Sequence, residues 1–459
     1  MSAPATPLAG VLADRVTALR ADALPPAVVR AAQDHLLDAL GVGFAGGAVG
    51  TTSIGPDLSR LGAGDATVVG RDARLTPAHA ALVNGTFMHA MEFDDTHVPS
   101  VIHGSAVVVP AALAAAEREG ASGAELLLAV AAAWETLIAL GLAAPGRFQA
   151  AGFQTVAVAG PFGAAVAAGL LAGVPRDTLV NAFGICGSQA AGTFEFLRNG
   201  STVKAMHAGW AAQSGLLAVE MAQLGVTGPA TVLEGPVGFY ASYAHDGDVA
   251  PRLAPLVDGI GTAWELPNAA FKRYPVCHYI HPFLEAVESL LAEGLTAADV
   301  ASVTCHAPVE AASVISDPWG EKQRPSSDQA ARYSLPVCVA AALLRGHIGP
   351  RDIPGIASDQ AVLELASRIR YEPWVDSGFP ARFPARIEVV QHDGKRDEVI
   401  VPDVRGSASR PLTTEDVRAK FRTNVEPVAG IDRAARLVDV VERLPAIDDV
   451  RELTALLGA

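Results

Sequence analysis

From its start to about residue 265, the sequence consists mainly of alanine, leucine and valine in helix-length blocks separated by glycine and proline. One block opens at Pro25-Pro26 and places Val28, Leu36 and Ala39 at helical spacing. Helices that are apolar on most sides must cover one another. The first half of the chain is therefore predicted to be an all-helical bundle in which strands are scarce.

After about residue 270 the pattern changes. The segments ASVTCHAPV and PARIEVVQHDGKRDEVIVPD are rich in β-branched residues, and the second predicts a hairpin that turns at Asp393-Gly394. These segments indicate a smaller mixed α/β domain. Thr413 or Thr414 is predicted to cap a further helix, and the last 30 residues return to helix and are expected to pack on the first domain.

Composition limits the classes of partner. The chain has 459 residues, of which 50% are hydrophobic, and its formal net charge is −15. This charge repels phosphate backbones and acidic membrane surfaces, so we expect no nucleic-acid partner and no membrane partner. An anionic substrate would need a local patch of cations.

The sequence also bears on membrane insertion and secretion. Residues 148–175 carry no charge, but alanine and glycine dominate them, which favours a buried core helix over a membrane span. The N-terminus shows no secretory signal, and the four cysteines are far apart with no CxxC pair. A cytoplasmic protein is expected.

The first polar segment that could carry chemistry is residues 84–105. Buried carboxylates and imidazoles cost free energy unless they are paired or used, so this density inside an apolar bundle points to a site. An exposed turn with helix caps is the alternative, and a metal site is a weaker one because no HExxH spacing occurs. The polar residues are Glu92, Asp94, Asp95, Thr96, His97 and His103.

The second segment is residues 194–215. Lys204 and His207 are three positions apart and share a face if the segment is helical. A cation beside an imidazole suits an anion. The alternative is a solvated lysine and a histidine that packs between helices.

The third segment surrounds Pro275 and contains Lys272, Arg273, His278 and His281. Arginine can bind a carboxylate through two hydrogen bonds, and histidine can exchange protons near neutral pH. His281 precedes an apolar helix, so a capping or core role is an equal alternative for it. No phosphate loop, GxSxG elbow or dinucleotide fingerprint occurs in the sequence.

Together with HGSAVVVPAALAAAE, VKAMHAGWAA, KRYPVCHYIHP, RYSLP and PLTTEDVRAKF, these segments resemble the MmgE/PrpD family nearly end to end. That family includes 2-methylcitrate dehydratase, cis-aconitate decarboxylase and iminodisuccinate epimerase. The resemblance implies a mainly α fold, with a large all-helical domain from both chain ends (residues 1–268 and 408–459) and a smaller α/β lid domain (residues 269–407). It also implies a homodimer, and catalysis without a metal or organic cofactor.

The resemblance further implies a site between the two domains. His103 is expected to be the general acid or base, since the ordinary pKa of histidine is near neutral. Lys204, with Lys272 or Arg273, would hold substrate carboxylates, and the N-terminus of a helix starting near Ser105 would add anion affinity. The expected catalytic residues are His103, Lys204, Glu92, Thr96 and His278, and the expected substrate-binding residues are Lys272, Arg273, His207, Gln154, His281 and Tyr333.

Three positions depart from the family pattern. Many relatives carry Asp in place of Glu92, and the longer arm moves the carboxylate by ~1.5 Å. Relatives often carry histidine where this chain has Gln154, which cannot exchange a proton near pH 7. Cys277 stands where some relatives carry histidine, with His278 beside it.

The expected activity is a hydro-lyase acting on a small polycarboxylate, of the 2-methylcitrate dehydratase type. An epimerase or a decarboxylase on the same scaffold is the alternative. A noncatalytic helical dimer is the alternative from another class, although such a protein should have lost Lys204 and His103 first.

Overall fold

The computed structural model describes residues 6–49, 54–55, 57–199, 201–379 and 382–458. Before residue 270, the strands in this described part are only the two-residue β1 Ala66–Thr67 and β2 Arg74–Leu75, so the prediction of a helical first half is confirmed. The helices are α1 Leu8–Thr17, α2 Pro26–Ala48, α3 Pro77–His89, α4 Ser105–Glu119, α5 Gly123–Ala143, α6 Arg147–Ala150, α7 Thr155–Leu171, α8 Arg176–Gln189, α9 Phe196–Asn199, α10 Val203–Gln223, α11 Phe239–Tyr243 and α12 Ala250–Asp258.

Helices α3 and α10 pack backbone against backbone. A Cβ atom added to Gly85 of α3 would lie 2.7 Å from the Cα atom of Gly209 in α10, so neither position has room for a side chain. This contact is one turn from the end of α3 at His89 and close to His207 in α10. It therefore brings the polar end of each helix to the same place.

The most apolar helices lie inside the protein. Among the described residues, α5 is the one helix long and apolar enough to cross a membrane, and 94% of its apolar window is buried by the rest of the chain. In α7, which forms most of the uncharged stretch, residues 155–169 are all buried. The prediction of a buried core helix there is confirmed.

Residues 281–401 form a four-stranded sheet with covering helices. The sheet order is β4-β3-β5-β6, with β3 parallel to β4 and antiparallel to β5, and β5 antiparallel to β6. The elements are α13 His281–Ala292, β3 Val300–Pro308, α14 Ala312–Ile315, α15 Trp319–Gln323, α16 Asp328–Ala331, α17 Leu335–Arg345, α18 Gln360–Ala366, β4 Ile369–Trp374, β5 Ala385–Gln391 and β6 Arg396–Val401.

Two strand expectations have different outcomes. The β5–β6 hairpin turns at Gly394, whose φ of 92° is one that glycine adopts easily, so that prediction is confirmed. Strand β4 was missed by the sequence analysis. It is an edge strand that contains Pro373 and is largely exposed, so it lacks the run of buried β-branched residues that marks a strand.

The C-terminal helices return to the helical core, as predicted. Thr413 caps α19 in a capping box with Asp416, and Phe421 of α19 is buried against Gly41 of α2. One hydrophobic core draws on residues 8–269 and 421–457, and a second core on residues 274–401. The domain boundaries at 268/269 and 407/408 stay a prediction. The last helices are α19 Thr414–Ala429, α20 Ile431–Arg443 and α21 Arg451–Thr454.

Candidate active site

The loop between α3 and α4, residues 90–104, is buried and polar. Glu92, Asp94 and Asp95 are each at most 3% exposed, so the alternative of an exposed turn is wrong. The loop is hydrogen-bonded to the segment just before the second core, because Thr96 and Ala270 exchange two backbone hydrogen bonds of 2.8 Å. The loop therefore lies beside the segment that carries the third polar motif.

Asp95 anchors this loop to the helical core. Its Oδ2 atom lies 2.6 Å from Nδ1 of His35, and its Oδ1 atom accepts the Ser105 backbone N–H at 3.2 Å. Helix α4 begins at Ser105, as expected. One of the first N–H groups of this helix, that of Ser105, is therefore taken by a carboxylate of the protein, and anion binding by the remaining N–H groups stays a prediction.

Glu92 is at the centre of a group of buried cations. Its carboxylate forms an ion pair with Lys204 and lies 3.8 Å from Nζ of Lys272. Burial and then the nearby Glu92 charge raise the pKa of the Tyr333 hydroxyl well above its usual value. Burial raises the pKa of the Glu92 carboxyl, but Lys204 and then Lys272 outweigh it and hold this pKa below its usual value. Glu92 is therefore a carboxylate in the resting protein.

The backbone of Glu92 is strained. Its φ of 52° lies in the left-handed region, which a glutamate adopts only when its surroundings impose it. Lys272 donates to the Glu92 carbonyl at 3.1 Å, and Arg332 donates to the carbonyl of Met91. Lys272, just before the second core, and Arg332, within it, thus hold the chain on both sides of this turn.

The sequence analysis missed Arg332, although it directly precedes the expected Tyr333. The guanidinium is 1% exposed and also donates to the Pro275 carbonyl at 2.9 Å. Its Nε and second terminal nitrogen have no hydrogen-bond partner among the described residues. Burial lowers the pKa of Arg332, and the nearby Glu92 opposes that shift. Its place as the first residue of the RYSLP motif was the only available signal, and it does not reveal burial.

His103 is oriented by acceptors on one side of its ring. Nδ1 lies 3.1 Å from the Asp95 carbonyl and 2.9 Å from Oγ1 of Thr96. A carbonyl oxygen only accepts, so Nδ1 carries the hydrogen and Nε2 holds a lone pair. Burial, opposed by Asp94 and reinforced by Lys272, lowers the pKa of His103 to about 3, below the near-neutral value expected from sequence. Its side chain is 18% exposed.

A second chain of polar groups runs beside this one. Asp94 lies 2.7 Å from Nδ1 of His89, and Nε2 of His89 lies 2.9 Å from the Gln154 amide nitrogen. The amide oxygen of Gln154 lies 2.8 Å from Nδ1 of His207. The sequence analysis gave Asp94 no role and missed His89, because the sequence did not show that α3 and α10 bring their polar ends together.

The segment after Pro275 buries both of its histidines, His278 and His281. His278 is 5% exposed, and neither ring nitrogen has a hydrogen-bond partner among the described residues. Burial and then Lys272 hold the pKa of His278 well below its usual value, so the ring is neutral. Cys277 beside it is a neutral thiol, since burial raises its pKa to about 11. His281 packs edge-on against His278 and bonds the Val276 carbonyl at 3.2 Å.

Arg273 does not join the cluster. Its guanidinium binds Glu288 at 2.9 Å and lies over the Tyr274 ring. Lys272 and Arg273 were the two cations expected to hold substrate carboxylates together with Lys204. Of these two, only Lys272 contacts Glu92. Among the described residues, no group of three or more His, Cys, Asp or Glu side chains is arranged to hold a metal ion.

The assembled site combines three buried cations, Lys204, Lys272 and Arg332, with the carboxylates of Glu92 and Asp94. Beside them is a neutral imidazole, His103, with a lone pair on Nε2. Cations stabilise negative charge that develops on a bound carboxylate, and a neutral imidazole can accept a proton. This arrangement can remove a proton next to a carboxylate.

Comparisons with known proteins find similarity along most of the chain. The family model of the MmgE/PrpD N-terminal domain matches residues 10–252, and that of the MmgE/PrpD C-terminal domain matches residues 274–446. Cis-aconitate decarboxylase of Mus musculus is 29% identical over 97% of this chain and 92% of its own length. The enzyme of Homo sapiens is 29% identical over 97% and 93%, and that of Aspergillus terreus 27% identical over 96% and 94%.

Proposed function

Since this chain belongs to the MmgE/PrpD family, we propose that it is a cofactor-independent lyase acting on a small polycarboxylate. The reaction proposed first is that of a hydro-lyase of the 2-methylcitrate dehydratase type. One observation carries the proposal. His103 presents an unprotonated, partly accessible Nε2 beside the buried cations Lys204 and Lys272.

In this proposal the cations hold the substrate. Lys204 and Lys272 bind one carboxylate, for which they exchange part of their contact with Glu92. The two unpartnered nitrogens of Arg332 offer a further pair of donors to an anion. Thr96 binds a substrate hydroxyl or carboxylate. A protein with a net charge of −15 attracts an anion only through such a local patch.

The chemical step uses His103 as the base. Nε2 takes the proton from the carbon next to a bound carboxylate, and the electron pair of that C–H bond forms the new C=C bond. The C–O bond of the β-hydroxyl breaks, and the departing oxygen takes the proton from protonated His103, so that water leaves and the base is regenerated. The cations stabilise the charge that develops on the carboxylate before the leaving group departs.

Decarboxylation is the second candidate, because the curated relatives are cis-aconitate decarboxylases. In that reaction the C–C bond to a carboxylate breaks, CO₂ leaves, and the remaining electron pair takes a proton. Gln154 stands where many relatives carry histidine, so a proton donor at that position is absent from this chain. Epimerisation would return the proton to the opposite face of the same carbon.

The test is proton NMR of the purified protein in D₂O with 2-methylcitrate, citrate, cis-aconitate and iminodisuccinate, following product and α-deuterium exchange together. Loss of water is the expected result. Loss of CO₂ would assign the decarboxylase, and exchange with inversion the epimerase. Absence of turnover and exchange across the panel would contradict the proposal and favour a noncatalytic helical protein.

We also propose that the protein is a homodimer. Helix α10 and the residue after it expose Val203, Trp210, Met221 and Leu224, of which Trp210 is 41% and Leu224 79% exposed. Exposed apolar side chains along one helix are typical of an interface. Light scattering should give twice the chain mass, and Trp210→Lys should lower it.

The domain division and the location of the protein stay proposals. Glu92 and Lys204 come from the part assigned to the helical domain, and Lys272 and Tyr333 from the part assigned to the lid, which supports a site between the two. The four cysteines are buried and unpaired, which supports a reducing cytoplasm. Limited proteolysis with and without a polycarboxylate tests whether the lid moves.

A further inference from the structure

The amide of Gln154 bridges two buried histidines. Its nitrogen lies 2.9 Å from Nε2 of His89, and its oxygen lies 2.8 Å from Nδ1 of His207. All three side chains are at most 6% exposed. An amide has one end that only donates and one that only accepts, so its orientation determines which ring nitrogens carry hydrogen.

Asp94 sets the donor-to-acceptor direction of the hydrogen bonds that link it to His89, Gln154 and His207. Its carboxylate accepts hydrogen bonds only, and it lies 2.7 Å from Nδ1 of His89, so this Nδ1 carries a hydrogen. In a neutral His89 ring, Nε2 then holds a lone pair and must accept from the Gln154 amide N–H. The Gln154 oxygen is left facing His207, whose Nδ1 must donate to it.

We propose that Gln154 is a positioning residue that links the hydrogen placement on His89, set by Asp94, to His207, so that His207 carries its hydrogen on Nδ1 and keeps a lone pair on Nε2. The inference rests on the proposed function only where it assigns that lone pair to proton transfer. Burial lowers the pKa of His207 to about 4, which keeps the ring neutral at pH 7. Gln154 cannot exchange a proton itself, but its amide orientation thus determines which ring nitrogen of His207 carries the hydrogen.

A second proton on His89 would reverse the direction of the two hydrogen bonds that Gln154 makes. His89 would then donate from both nitrogens, and the Gln154 amide would have to turn its oxygen toward Nε2 of His89. The amide nitrogen would donate to Nδ1 of His207, whose hydrogen would move to Nε2. The titratable groups that face His89 are Asp94, Glu92, His103 and His207, and Lys204 also faces His207.

The experiment measures ring tautomers by long-range ¹H–¹⁵N NMR of the full-length protein with ¹⁵N-labelled histidine rings. Signals of His89 and His207 are assigned by the loss of one signal in His89→Gln and His207→Gln. In the wild type at pH 7, both rings should carry hydrogen on Nδ1 and a lone pair on Nε2. A neutral His207 ring with hydrogen on Nε2 overturns the proposal.

Two variants test whether Gln154 is the cause. Gln154→Glu replaces the donor with an acceptor, so His89 should show hydrogen on both nitrogens while His207 keeps hydrogen on Nδ1. Gln154→Leu removes both contacts, and His207 should become a mixture of tautomers. Unchanged His89 and His207 signals in both variants overturn the proposal. His392, exposed in the sheet hairpin, is the internal reference and should not shift in either variant.

Kinetics separate this inference from the proposed function. With an active substrate, Gln154→Leu should lower kcat about tenfold and change KM less than twofold, because the chain orients a proton-transfer group. Gln360→Leu, at an exposed position of α18, is the control. A protein without turnover but with the expected tautomers would reject the proposed function and retain the role of Gln154. An altered KM with unchanged kcat would reject proton transfer through His207.

Discussion

The ammonium group of Lys204 forms an ion pair with the carboxylate of Glu92, 112 positions away in sequence, inside the protein. Both side chains are at most 6% exposed. A lysine expected to hold substrate is therefore already held by a carboxylate of the protein. A substrate carboxylate must compete with Glu92 for Lys204, and the longer arm of glutamate relative to aspartate lets it reach that lysine.

Glu92→Gln should increase affinity for a polycarboxylate. The substitution keeps the shape of the side chain but removes the charge that competes for Lys204 and Lys272. The expected result is binding of tricarballylate about tenfold tighter, equivalent to ~1.4 kcal/mol, measured by titration calorimetry at fixed ionic strength. Glu398→Gln, on the edge strand β6, is the matched control. Equal or weaker binding by Glu92→Gln would show that Glu92 does not occupy the anion position.

Loss of the proposed base, His103, or of the substrate-binding cation Lys204 should abolish most activity. His103→Ala and Lys204→Ala should each lower turnover at least about a hundredfold, the usual scale for losing a positioned acid-base group or a charge-stabilising group. Circular dichroism should show that both variants remain folded. His392→Ala and Lys395→Ala alter exposed residues of the hairpin and should have wild-type turnover. Wild-type rates in both site variants would remove these residues from the mechanism.

Arg332→Met should destabilise the protein and impair the site. It removes the donor to the carbonyls of Met91 and Pro275 and leaves two buried acceptors without it. A buried unsatisfied group costs about 1–3 kcal/mol, so we expect the free energy of unfolding to fall by about 2–5 kcal/mol. Urea unfolding measures this, with Arg370→Met on the exposed side of β4 as the control. Arg332→Lys should recover part of the loss.

Glu135 in α5 should make stability depend on pH. Burial raises its pKa to about 7, although the backbone N–H groups of Leu266 and Glu265 donate to it and oppose that shift. The folded protein thus holds this proton more tightly than the unfolded chain, whose glutamate titrates near pH 4.3. The stabilisation is complete below that pH and is lost as pH rises to about 7.

Glu135→Gln removes this titration and keeps an oxygen for the two N–H groups. The free energy of unfolding of the wild type, relative to that of the variant, should therefore fall by roughly 3 kcal/mol between pH 4.5 and 8. Urea unfolding across this range measures it, with Glu125→Gln at the exposed start of α5 as a reference for surface carboxylates. A difference that is constant with pH would mean that Glu135 is not protonated in the folded state.

Much of the fold follows from local patterns. Alanine-rich blocks, the Thr413 cap and the Asp393-Gly394 turn each depend on a few consecutive residues, and the structure confirms them. Strand β4 was missed because its pairing with β3 is set by a neighbour more than 60 residues away. Its own sequence, exposed and interrupted by Pro373, resembles a loop.

Some residues of the candidate site could be predicted from the sequence and others could not. The sequence indicated Glu92, His103, Lys204 and Lys272 through residue type and motif, and the structure brings these four together. It did not indicate His89 or Arg332, because a histidine at a helix end and an arginine beside a turn are common on surfaces. The contact between α3 and α10 buries His89, and the packing of the second core against the loop of residues 90–104 buries Arg332.

Residue type and spacing were enough to indicate which segments are helical, which are expected to carry chemistry and which family the chain resembles. Tertiary structure alone decided the protonation pattern. The Lys204 and Lys272 ammonium groups keep Glu92 charged against the effect of burial, desolvation keeps His103 neutral, and acceptors from other segments select the ring nitrogen that carries the hydrogen. Desolvation and hydrogen-bond direction are properties of assembled surroundings, and no single segment of the chain contains them.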